Sequence, residues 1–254
     1  MRFQGQHIWI IGASSGIGKA VAVELAQQGA SLILSARNSE ALVALKDSLP
    51  GKHKVYPLDV ADNVAVERVI QEVTNEVNVL DRVIYMAAMY EPEYIANMDL
   101  DKASMMLRVN ILGAMGVVKG VLPVMETQPY AQIAICASSA GYTGLAGGQP
   151  YSATKAALIN FTESLAVEVP KHIDVKLINP GFVKTPLTDK NQFAMPMIME
   201  VEDAAKCLIG GLNNNNFEIA FPKKFILLLK LICILPARLQ QKVKHKLANR
   251  SSEK

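Results

Sequence analysis

Residues 7–30 read HIWIIGASSGIGKAVAVELAQQGA: an apolar run closing on Gly12, a turn of small residues, then apolar positions recurring at helical spacing. Strand, glycine turn, helix is the reading this pattern supports. The alternation continues along the chain. ASLILSA (30–36), HKVYPLDV (53–60), DRVIYMAA (81–88), AQIAICASS (131–139), IDVKLINP (173–180) and FEIAFP (217–222) have strand character, with helix-length segments at 62–77, 99–125, 152–169 and 200–212 between them. Strands alternating with helices predict βαβ units and hence an α/β fold with a doubly wound parallel sheet. The nearly continuous apolar strands predict that helices cover both faces of that sheet.

A chain of 254 residues, 50% hydrophobic, can bury one sizeable core. Cys136, Cys207 and Cys233 are odd in number and far apart, so they suggest neither a disulfide framework nor a metal site, and a reducing compartment fits. The first residues, MRFQGQHIWIIGAS, lack the apolar length of a secretion signal, which makes a cytoplasmic location the expectation. The net charge of +3 hides an asymmetry. Residues 223–254 carry nine Lys/Arg against one acid, Glu253, which leaves seventeen Lys/Arg against twenty-two Asp/Glu in residues 1–222, or +8 on the extension and −5 on the body. A mildly acidic body argues against a nucleic-acid partner, whereas the basic extension calls for an anionic partner of its own.

The turn GASSGIG spaces its glycines as Gly12, Gly16 and Gly18, with Ser14, Ser15 and Ile17 between. Small residues let a backbone approach a pyrophosphate closely, and the N-terminus of the next helix adds N–H groups and a favourable dipole. Its place after the first strand of an α/β sheet is where dinucleotides bind. The second strand ends at Arg37, where many such folds hold an acid for the adenosine ribose. An arginine there can pair with a 2′-phosphate, so NADP(H) is preferred over NAD(H); a solvated surface arginine is the competing reading.

In SSAGYTGLAGGQPYSATKAAL, Tyr151 and Lys155 stand four apart on one helical face, a spacing that lets a cation lower a phenol's pKa toward the range of a general acid/base. With GASSGIG, Asp59-Val60, Asn110 in RVNILG, Ser138 in ASSAG, YSATK and NPGFVKT (179–185), the chain resembles the short-chain dehydrogenase/reductases over residues 5–222. The resemblance implies a single Rossmann-like, three-layer catalytic domain over 1–222 and a tetrad of Asn110, Ser138, Tyr151 and Lys155. Tyr151 would be the acid/base, Lys155 would hold the nicotinamide ribose, Ser138 would bind the carbonyl oxygen, and Asn110 would support a proton-relay water. Asp59 and Val60 would border the adenine and Ala87 and Ala88 the ribose side. Pro180, Gly181, Val183 and Thr185 would lie along the nicotinamide. No metal is implied. The family's Asn-Asn-Ala-Gly is here Tyr85-Met86-Ala87-Ala88, and Ile11 replaces a threonine, so weaker bracing is expected around the fourth strand.

The resemblance also implies a substrate lid at 186–199, whose apolar residues Phe193, Met195, Met197, Ile198 and Met199 suit a lipophilic carbonyl or alcohol. It further implies a homodimer through 99–125 and 152–169, with a tetramer as the alternative. From Phe225 to Leu235 only Lys230 interrupts an apolar run, and a helix of that length, roughly 16 Å, is about half a bilayer's hydrocarbon thickness. Beyond Pro236, Leu239, Val243 and Leu247 form a stripe among Arg238, Lys242, Lys244, Lys246 and Arg250. The reading adopted is a surface anchor on an anionic membrane through 223–250, which would make the enzyme peripheral on the cytoplasmic membrane face; a contact with a partner subunit and a flap over the cleft are the competing readings. An NADP(H)-binding, membrane-associated sensor with little turnover is the rival functional class, against which the intact tetrad speaks.

Overall fold

A computed structural model describes residues 2–77, 79–191 and 195–252, with side chains to residue 248 in the last stretch. The seven predicted strands all form: β1 (His7–Ile11), β2 (Ser31–Ser35), β3 (Lys54–Val55), β4 (Arg82–Tyr85), β5 (Ala131–Cys136), β6 (Ile173–Pro180) and β7 (Glu218–Phe221). They make one sheet in the order β3-β2-β1-β4-β5-β6-β7. Every neighbouring pair is parallel. The chain reverses its direction of travel between β1 and β4, opening a crevice at the carboxyl ends of those strands.

Alternation along the strands explains the three layers. Trp9 and Ile11 of β1, with Val83, Ile133 and Leu177, pack against α3 (Asn63–Glu76), α5 (Gly113–Met125) and α6 (Tyr151–Glu168). Ile8 and Ile10, with Leu34, Ile84 and Ile178, pack against α1 (Gly16–Gln27), α2 (Ser39–Ser48) and α7 (Val201–Leu212). β1, β2, β4, β5 and β6 therefore each present an apolar residue to both faces, which is why they read as continuous apolar runs.

Two differences from the sequence expectation shape the site. The third strand is shorter than 53–60: Tyr56 and Leu58 still donate to Leu34 and Ala36 carbonyls at 3.0 Å, but Pro57 between them has no N–H to give. The predicted helix 99–125 is α4 (Leu100–Leu107), a π-helical turn at Arg108–Leu112, and α5. The run Leu100–Met125 is long and apolar enough to cross a membrane by length and composition. It instead lies on the sheet, burying Val117, Val121 and Met125 in the core.

After β7 the chain turns into α8 (Lys223–Cys233) and α9 (Ala237–Ser252). Phe225, Ile226 and Leu229 of α8 pack on Tyr142, Phe182 and Ala220 of the body. The helix approaches so closely that a Cβ on Gly181 would lie 2.9 Å from the Phe225 ring. The extension is thus docked beside the segment 179–185.

Candidate active site

The glycine turn is shaped by contacts that leave no room for side chains. Gly12 has φ +97°, and a Cβ there would stand 2.5 Å from the Ala87 backbone nitrogen; on Gly18 it would stand 2.2 Å from the Gly12 carbonyl oxygen. β1, the loop after β4 and the start of α1 are thereby drawn together. Ser15 caps α1 without a side-chain bond to its first turn, and that turn holds no acid, which leaves N–H groups at the cavity wall without a side-chain cap, as an anion-binding helix end requires. A Cβ on Gly16 would touch the Thr185 side chain at 3.3 Å, which shows the glycine turn and the 179–185 segment facing one another.

One cavity of about 940 Å³ runs from this turn to the start of α6. Every residue that the sequence places along a cofactor lines it, from Gly12, Ser14, Ser15, Gly16, Ile17 and Gly18 through Arg37, Asp59, Val60, Ala87 and Ala88 to Pro180, Gly181, Val183 and Thr185. Ser138, Tyr151 and Lys155 line it too. Arg37 is exposed at the rim after β2 and forms no ion pair among the described residues. A cradle that a Cβ would fill, an open helix N-terminus and a long cavity together fit a dinucleotide.

Asn110 does not line the cavity. It is buried in the π-helical turn, where its Oδ1 accepts from Met89 N at 2.7 Å while Nδ2 donates to Met89 O at 3.0 Å and Thr154 Oγ1 at 2.9 Å. Both amide protons are engaged, so the side chain fastens the loop after β4 to α6. The bracing expected to be weak is supplied differently. Tyr85 is buried and donates to the Val109 carbonyl at 2.6 Å, beside Asn110, while a Cβ on Gly113 would stand 2.7 Å from the Tyr85 hydroxyl. Tyr85→Phe leaves that carbonyl without its donor and is expected to cost about 1–3 kcal/mol of stability. Chemical unfolding checks this, and a loss under roughly 0.3 kcal/mol, the scatter between independent sites, contradicts it.

Tyr151 opens α6, its ring meeting Tyr90 edge-on at 4.6 Å between centroids. Burial raises its pKa; Cys136 and Tyr90 add to that, and a hydrogen bond with Ser138 opposes it. Lys155 is buried, donates to the Cys136 carbonyl at 2.9 Å, and sits 5.5 Å from the Tyr151 ring centroid. Burial lowers the lysine's pKa. Burial, rather than Lys155, dominates the phenol's pKa in the chain alone and raises it. Ser138 Oγ accepts from Ala140 N at 3.1 Å, which turns its own proton toward acceptors such as the Pro180 carbonyl at 3.5 Å or a substrate oxygen.

The substrate end differs from expectation. Met199 packs onto the body, Met197 and Ile198 are exposed, and Met195 takes a hydrogen bond from Asn191; Phe193 lies outside the described residues. The apolar wall comes instead from Tyr90, Tyr94, Leu145, Phe182 and Leu187, with Phe225, Leu229 and Leu247 of the extension. Tyr90 carries no pattern in sequence that marks it, whereas Thr154 stands inside YSATK itself. The lid cations are paired, Lys190 with Glu91 and Lys184 with Glu200 at 3.6 Å.

A family model described as short chain dehydrogenase matches residues 6–195. The chain belongs to this family. As a short-chain dehydrogenase it is an oxidoreductase that interconverts CH–OH and C=O groups with a nicotinamide cofactor. It is 33% identical over 194 residues to a 3-oxoacyl-[acyl-carrier-protein] reductase of Thermotoga maritima, a match covering 75% of this chain and 79% of that protein. Among solved structures, a short-chain dehydrogenase/reductase from Burkholderia phymatum in complex with NAD has a TM-score of 0.83 at 20% identity, covering 91% of this chain and 94% of that one. An alcohol dehydrogenase from Thermococcus sibiricus complexed with 5-hydroxy-NADP has a TM-score of 0.79 at 21% identity, covering 86% and 96%. These structural likenesses place the fold.

Proposed function

We propose that this short-chain dehydrogenase is an NADP(H)-dependent reductase of a lipophilic ketone or aldehyde, able to run in reverse on the secondary alcohol. The observation that carries the reading is Tyr151, with Ser138 and Lys155, in the wall of a cavity that is a glycine cradle at one end and apolar at the other. When bound, the nicotinamide supplies the hydride. The chain's residues do the rest: Ser138 donates a hydrogen bond to the carbonyl oxygen and positions it, and Tyr151 delivers the proton as that oxygen becomes an alkoxide. Lys155 would hold the ribose near Tyr151, and Asn110 acts as a positioning residue through Met89 and Thr154. Lys190 is paired with Glu91, Lys244 donates to Gln240 Oε1 at 3.0 Å, and the aromatic and aliphatic wall favours a neutral, apolar substrate over a phosphorylated one. The rival sensor reading has no observation in its favour.

NADP(H) preference rests on Arg37, whose guanidinium can pair with a 2′-phosphate. Arg37→Glu is expected to lower kcat/KM for NADPH relative to NADH by tenfold or more, since a charge-assisted pair contributes about 1.5–3 kcal/mol. An unchanged ratio overturns the preference. A homodimer through 99–125 and 152–169 is supported by exposed Met105, Leu107 and Leu112 on one run and Val167 on the other. Light scattering is expected to give at least twice the 27.6 kDa chain mass, four times it for the tetramer; a monomer contradicts both. We place the activity in the cytoplasm, where the three free cysteines stay reduced. Recovery of the native protein from an oxidising compartment argues against this.

A further inference from the structure

We propose that α8 and α9 form an interfacial cap: one face closes the substrate end of the cavity, and the opposite face lies in the headgroup region of an anionic bilayer. The inference rests on the lipophilic-substrate reading above and says where such a substrate comes from. Around α8, Phe225, Ile226, Leu229 and Ile232 are 5–8% exposed, whereas Leu227, Leu228 and Leu231 are 50–60% exposed and the following Ile234 is 77% exposed. A helix lying on a protein in water buries one apolar stripe and turns polar residues outward; this one is apolar on both sides.

Its rotation is fixed by the residue that interrupts the apolar run. Lys230 pairs with Glu218, whose carboxylate also accepts from Tyr142 and, at 2.7 Å, from Asn179 Nδ2. Burial alone would raise the Glu218 pKa, but hydrogen bonds from Lys230, Tyr142 and Asn179 outweigh it and hold the carboxylate ionised. The Leu227–Leu231 face is therefore held outward. α9 is tied on through Gln240, whose Nε2 donates to the Ile232 and Cys233 carbonyls at 3.3 Å, and it contributes Lys244 and Leu247 to the cavity lining. The two earlier alternatives, flap and anchor, are thus two faces of one element.

Charge selects the occupant of the outer face. Of the extension's nine Lys/Arg, Lys224, Arg238, Lys242 and Lys246 are exposed and form no ion pair among the described residues, so pairing the extension with a second copy of itself brings two basic segments together, while an anionic lipid surface complements them. With 11 residues, α8 reaches roughly 16 Å and lies along the interface without spanning it.

The test is cosedimentation of the full-length protein with vesicles of phosphatidylcholine alone or mixed with phosphatidylserine, beside a Leu227→Glu/Leu231→Glu variant. Binding is expected only to the anionic vesicles, to weaken on adding salt, and to fall at least tenfold in the variant. Reduction of a short, water-soluble carbonyl by the variant in solution is expected to stay unchanged, because the two leucines face away from the cavity. No binding to anionic vesicles, or equal binding by the variant, overturns the proposal. So does a variant that binds vesicles normally but loses a subunit by light scattering, which would make the leucine face a subunit contact. Vesicle binding is read without substrate, so vesicle binding with no reduction of long-chain carbonyls would count against the substrate reading and leave the membrane face standing.

Discussion

Tyr151→Phe is expected to lower kcat by about 10²–10⁴-fold, the range contributed by a positioned general acid, while dinucleotide affinity stays within about twofold. The substitution removes only the phenol oxygen: the ring's edge contact with Tyr90 and the position of Lys155 against the Cys136 carbonyl do not depend on it. The glycine cradle lies at the other end of the cavity. Direction and pH follow from the same group. Burial, Cys136 and Tyr90 raise the tyrosine's pKa, so the proton-donating form dominates through neutral pH. Reduction should be flat across that range and decline only as pH approaches the raised pKa, whereas alcohol oxidation, which needs the phenolate, should climb with pH over the same interval. Both limbs should vanish in the variant. A variant retaining more than roughly a tenth of wild-type turnover would remove Tyr151 from its role.

Gly12→Ala is expected to destabilise the protein by roughly 3 kcal/mol or more, a large share of an ordinary domain's 5–15 kcal/mol, and to abolish dinucleotide binding in whatever fraction folds. Two penalties coincide: a positive φ of +97° that alanine rarely adopts, and a Cβ placed 2.5 Å from Ala87 N and 2.7 Å from the Met86 carbonyl carbon. Backbone atoms just beyond the paired ends of β1 and β4, where Met86 N donates to the Ile11 carbonyl, do not move aside as a flexible side chain would. Gly210 is the matched control. It lies in α7 with nothing within 4 Å of a Cβ, so Gly210→Ala should be neutral or stabilise by about 0.5–1 kcal/mol. Urea unfolding of both variants decides the matter; equal midpoints for the two would mean that the close approach at Gly12 is not a constraint.

The strands were legible because residues such as Ile8 and Ile10 on one face and Trp9 and Ile11 on the other leave no polar position to interrupt the run. Hydropathy carries no signal for where a strand stops pairing, so the third strand was read too long across Pro57, and periodicity cannot reveal a π-helical turn, so 99–125 was read as one helix. The cofactor side was legible because phosphate binding needs backbone approach, and only glycine permits it at Gly12 and Gly18. The substrate side was not. Tyr90 reaches Tyr151 across the fold from a loop with no spacing of its own, and the apolar wall draws on Phe225 and Leu229, more than seventy residues after Tyr151 in the chain. Lys230 looked like a flaw in an apolar segment; only the position of Glu218 shows that it docks the helix.

Reduction of lipophilic carbonyls by NADPH in this cavity is tested by following NADPH consumption and alcohol formation together across carbonyl compounds of increasing chain length. One alcohol is expected per NADPH consumed, with kcat/KM rising along the series as the chain fills the wall from Tyr94 to Leu229. NADPH consumption without alcohol, or a kcat/KM highest for the shortest, most soluble compounds, would contradict it.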